Sequence, residues 1–116
     1  MRPKAVTVGV PVRDLDAATA WYRSALGLDE PDLQPVEGVV EFDLGAFWLQ
    51  LSHAPESAGG AGLSVTLSID DASAERARLA ALGLDVTEVQ RFEGVVDLFE
   101  LTDPDGNTIG FVTELA

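Results

Sequence analysis

The chain has 116 residues, 47% of them hydrophobic, which suits one compact domain with a real core. Its 7 Lys and Arg stand against 20 Asp and Glu, a formal net charge of −13 that repels phosphate backbones and anionic membranes, so neither is an expected partner. Cysteine is absent, which removes disulfides, thiolate metal sites and cysteine nucleophiles, and no apolar run approaches the roughly 20 residues needed to span a bilayer.

The opening Met1-Arg2-Pro3-Lys4 is basic, but the apolar stretch after it is short and broken by Gly9 and Pro11. It reads as a strand and not as a signal peptide, and the expected location is cytoplasmic. Val6, Val8, Val10 and Val12 alternate with Thr7, Gly9 and Pro11, the period of a half-buried strand. Asp14 is placed to cap a helix by accepting its unpaired N–H groups. Leu15, Ala18, Tyr22 and Ala25 form one stripe of that helix, Trp21 and Tyr22 wedge it onto the sheet, and Gly27 ends it. Short strands are expected near residues 32–35, 39–44 and 46–52, followed by a loop around 55–62.

The second half repeats this order. Leu63, Val65, Leu67 and Ile69 supply a strand, Asp71 a cap, Leu79 and Leu82 the anchors of a helix, and Gly83 its end. Strands near 86–90, 95–102 and 108–114 complete it, with Asp103-Pro104-Asp105-Gly106-Asn107 as a tight connection. Glu37-Gly38-Val39-Val40-Glu41 returns as Glu93-Gly94-Val95-Val96-Asp97, and Leu26-Gly27-Leu28-Asp29 as Leu82-Gly83-Leu84-Asp85. Both recur in the same order at a spacing of 56, which marks an internal duplication. The predicted architecture is α+β, a single domain of two βαβββ modules, about 1–57 and 61–116. They form a curved mixed sheet with a cleft, the helices on its outer face.

Val12-Arg13-Asp14-Leu15-Asp16-Ala17-Ala18, Trp21-Tyr22-Arg23 and Leu26-Gly27-Leu28 resemble the first module of the glyoxalase/bleomycin-resistance/dioxygenase (vicinal oxygen chelate) superfamily. Asp103-Pro104-Asp105-Gly106-Asn107-Thr108-Ile109 resembles its closing hairpin. The resemblance implies the paired-module fold, but the fold alone does not choose among the superfamily's chemistries. Metal-dependent members carry four ligands, usually His and Glu, on cleft-facing strand positions. The resemblance puts those positions at Thr7, Gln50, Ser64 and Gly110. None carries an ionisable ligand, so no metal and no cofactor is expected there.

His53, the single histidine, reads as a solvated residue at a strand end, since no orienting partner is evident nearby. Gly59-Gly60-Ala61-Gly62 lacks a phosphate-binding Lys and reads as a joint. Strand alternation then sorts the cleft lining. Thr7, Ser64, Thr66, Gly110, Trp48 and Gln50 fall opposite the core-facing residues, and so do Glu41 and Asp43. The repeat assigns Asp97 and Phe99 to the same face. Acids beside Trp48 and Phe99 suit a planar or cationic ligand, or else they are solvated strand-edge charges.

The leading expectation is metal-independent binding of a small planar or cationic molecule by a homodimer, similar to antibiotic sequestration in the bleomycin-resistance branch. The alternatives are a glyoxalase, dioxygenase or epimerase-like enzyme with a non-standard carboxylate or metal site, and an interaction domain without a ligand.

Overall fold

A computed structural model describes residues 1–60 and 65–115. The chain divides into two compact units, Met1–Gly60 and Ala61–Ala116.

Unit 1 runs β1 (Thr7–Val12), α1 (Leu15–Leu26), β2 (Leu33–Val36), β3 (Val39–Asp43) and β4 (Trp48–His53). Its sheet has the order β1-β4-β3-β2, parallel at β1–β4 and antiparallel elsewhere. The Asp14 side chain accepts from Ala17 N, and Gly27 takes a left-handed φ of 66° while its N–H donates to the Arg23 carbonyl. Ala18, Tyr22 and Ala25 are the buried stripe of α1, which packs on β4. Tyr22 is wholly buried, whereas Trp21 is half-buried and meets it edge to face at 4.8 Å. Val10, Val12, Val40, Phe42, Leu49 and Leu51 form the sheet's side of this core. Burying that many aliphatic groups is the main stabilising contribution to the unit.

Unit 2 repeats the plan with β5 (Val65–Ser68), α2 (Ala72–Ala81), β6 (Asp85–Val86), β7 (Gln90–Phe92), β8 (Val96–Thr102) and β9 (Thr108–Glu114). Its sheet order is β5-β9-β8-β6, with β7 also paired to β8. The strand expected at 86–90 is thus two short pieces, and Thr87 between them ties back to β8 by donating its N–H to the Glu100 carbonyl. Asp71 caps α2 through Ala74 N, and Thr113 of β9 accepts from Ala72 N, which fixes the helix start to the sheet. Leu79 is 1% exposed and anchors α2 as expected, but Leu82 is 49% exposed. It follows the last helical turn, off the stripe that meets the sheet. Leu63 of the expected apolar strand face lies outside the described residues.

The Asp103 connection is a closed polar knot. Asp103 Oδ1 accepts from Asp105 N and Asn107 N, its Oδ2 accepts from Asn107 Nδ2 at 2.8 Å, and Gly106 takes a φ of 90°. Asp103 and Asn107 are buried, and these bonds offset the cost of taking them out of water.

Candidate functional site: the helix-free face of unit 1

Alternation divides the unit 1 sheet into a face packed on α1 and an open face. The register sets Gly9, Gln50 and Glu41 in one row of the open face, and Thr7, Trp48 and Asp43 in the next. Trp48, Gln50 and Glu41 are half-buried, while Thr7 and Asp43 are exposed. All five sequence-predicted site residues of this unit are therefore neighbours on one surface.

Three of the side chains there form a directed chain. The Ser52 hydroxyl donates to Gln50 Oε1 at 3.1 Å, and Gln50 Nε2 donates to Glu41 Oε2 at 2.8 Å. The carboxylate fixes which way the amide points, because an amide oxygen turned toward it would set two acceptors against each other. Asp43 is held separately: its Oδ1 accepts from Gly45 N at 2.9 Å, and its own N–H donates to Asp32 Oδ2 at 2.7 Å. Ser52 was not among the predicted contacts. Its parity with Trp48 and Gln50 was the signal for it.

Unit 2 brings fewer of the predicted residues to its open face. Thr66 and Gly110 lie there side by side in register, with Glu100 next to Gly110 across β8–β9. Ser64 lies outside the described residues. Phe99 and Asp97 require a correction. Phe99 is 0% exposed, pairs in register with Phe111 and stacks on it at 5.0 Å, so it belongs to the core face. Asp97 shares that side of β8, and Arg91 grips it through two hydrogen bonds of 2.7 and 2.8 Å. The bonds from Arg91 hold the Asp97 carboxyl below its usual range despite its burial, and the same bonds raise the Arg91 guanidinium.

The error has a local cause. In the first hairpin Val36 pairs with Val39, leaving Glu37 and Gly38 as the turn. In the second, Phe92 pairs with Val96, leaving Glu93, Gly94 and Val95. The repeated motif marks the turn, and the extra residue inverts every side chain of β8 relative to the repeat. Glu100, not Asp97, is the acid of β8 on the open face.

His53 ends β4 as an exposed residue, and its N–H donates to the Gly38 carbonyl. It has no place in the rows described above.

The family model of the glyoxalase/bleomycin resistance protein/dioxygenase superfamily matches residues 4–111. The chain belongs to this superfamily. It is similar to a glyoxalase/bleomycin resistance protein from Catenulispora acidiphila DSM 44928, with 33% identity over 94% of this chain and 96% of that one, and a TM-score of 0.79. An antibiotic-binding protein from Streptomyces sp. CB03234 is 25% identical over 97% of each chain, with a TM-score of 0.81. A lactoylglutathione lyase from Agrobacterium tumefaciens, 24% identical over 97% of this chain and 95% of that one, shares the fold with a TM-score of 0.76. No curated protein matches the sequence.

Metal-dependent members of the superfamily pose a test of fit for this chain. Of the corresponding positions that the structure describes, Thr7 is exposed, Gly110 has no side chain, and the Gln50 amide is engaged by Glu41 and Ser52. No group of three or more His, Cys, Asp or Glu suited to an ion forms among the described residues. A neutral hydroxyl and a committed amide do not fit a divalent ion that prefers carboxylate or imidazole donors.

Proposed function

We propose that the open face of unit 1 binds a small planar or cationic molecule without a metal ion. The observation that carries this reading is Trp48, a large aromatic held half-buried on a helix-free sheet face and paired in register with Thr7 and Asp43. Core aromatics of this chain sit on the opposite faces, as Tyr22, Phe42 and Phe99 do. An indole beside the carboxylates of Asp43 and Glu41 attracts a flat cation through stacking and cation–π contact as well as charge. The likeness to an antibiotic-binding protein over nearly the full length supports the same reading. In this reading the protein works as a cytoplasmic homodimer. No helix among the described residues is long and apolar enough to cross a membrane, and the exposed large apolar side chains of Leu33, Val36, Phe92 and Val95 support the pairing of two copies.

Titration of tryptophan fluorescence with a panel of cationic aromatic compounds tests the reading. The parent should show saturable quenching. Trp48→Ala should lose roughly 1–2 kcal/mol of binding, as expected for a partly desolvated cation–π contact. Binding that is equally tight in the variant, or a parent that responds to no compound, would remove Trp48 from the site. Light scattering of the purified protein tests the dimer, and a monomer at working concentration counts against it.

A further inference from the structure

We infer that Gly9 is the floor of a ligand slot on the open face of unit 1, shaped for a flat cation whose N–H groups donate to the Gln50 amide oxygen. The inference rests on the binding role proposed for that face and adds the ligand's chemistry.

Gly9 lies in the interior of β1, where glycine weakens a strand and often marks a close approach by another group. Its backbone does not demand glycine, since Gly9 is absent from the residues with positive φ. Packing does not demand it either. The nearest atom to a Cβ built at Gly9 is Gln50 Oε1 at 3.4 Å, the near limit of ordinary contact and with the end of a flexible side chain. The corresponding place in unit 2 makes the contrast. There β5 carries Thr66, and the glycine is Gly110 on β9, where a Cβ would come within 3.2 Å of Thr66 Oγ1. Crowding explains Gly110. At Gly9 the one near atom is the end of a flexible side chain, so a methyl group there would lie directly against the Gln50 amide oxygen.

The chemistry of that space follows from the directed chain. Gln50 Oε1 accepts from Ser52 and keeps a second lone pair, while its Nε2 is turned to Glu41. The row therefore offers an amide oxygen with a carboxylate beyond it, and Trp48 stands next to Gln50 on the same face of β4. Acceptors, negative charge and an indole together select a planar N–H donor that carries positive charge, the amidinium and guanidinium class.

The test uses benzamidine as probe and Gly9→Ala as variant. Alanine at a compatible backbone position should leave the melting temperature unchanged or higher. Its methyl group should weaken benzamidine by about tenfold, the cost of losing a hydrogen bond from a charged donor. The parent should prefer benzamidine to uncharged benzamide. Equal benzamidine affinity in parent and variant, or a variant melting well below the parent, would overturn the slot and leave the binding role of the face intact. A parent that answers other panel compounds but not benzamidine would overturn the amidinium assignment alone. A parent silent to every compound would remove the binding role itself.

Discussion

Phe99→Ala separates the core face of β8 from its open face. Phe99 is wholly buried, its ring is stacked on Phe111 with 16° between the planes, and Leu101 and Ile109 pair beside it in register. Truncation removes a full aromatic side chain from a strand between two neighbours that cannot collapse inward without breaking their ladders. Phe→Ala changes at such sites cost about 3–5 kcal/mol, of which the lost stacking accounts for roughly 0.5–1.5 kcal/mol. Against a total of about 5–15 kcal/mol for a domain, this is roughly a fifth or more of the stability. Urea denaturation of parent and variant, with linear extrapolation at a shared slope, measures it. Ligand response in the surviving folded fraction should stay unchanged. A loss under about 1 kcal/mol together with abolished ligand quenching would refute the reasoning. That result would mean that β8 presents Phe99 to the open face, as the spacing of the repeat suggested.

Asp14→Ala and Asp71→Ala each remove a side-chain acceptor from the first turn of a helix, and each should cost about 1 kcal/mol. The two caps share no partner, so the double variant should show the sum in the shift of the denaturation midpoint. Arg91 and Asp97 predict a pH dependence. The folded Asp97 carboxyl lies below its unfolded value of about 3.9, so its contribution is present above that pH and is lost as acid takes the folded group through its own lower pKa. Denaturation midpoints followed from pH 6 downward (about the usual working range) should fall in the parent, and Arg91→Met should lack this part of the decline. An identical decline in both proteins would count against the pair.

How much of this was legible in the sequence depends on how local each signal is. Asp14 and Asp71 could be assigned as caps because the cap, the helix start and the acceptor geometry lie within four residues. The parities of β1, β3, β4 and β9 were equally legible, since each strand alternates and has one buried face. Trp48, Gln50, Glu41 and Asp43 could therefore be placed on one face before any pairing was known. The register of β8 was a different kind of fact. Val95, Val96, Leu98, Phe99 and Leu101 give apolar residues on both parities, so hydrophobicity could not choose a face, and the repeat decided it wrongly. The missing information was the length of a turn, one residue greater in the second hairpin. Leu82 failed for a related reason: it matches Leu26 in the repeat, yet α2 ends a residue before it, and so it stays exposed. Gly9 shows the opposite limit. A glycine in a strand reads in sequence as a mere interruption. Only the distance from its absent Cβ to Gln50 Oε1, set beside the crowding at Gly110, reveals that the space over Gly9 is not required by the fold.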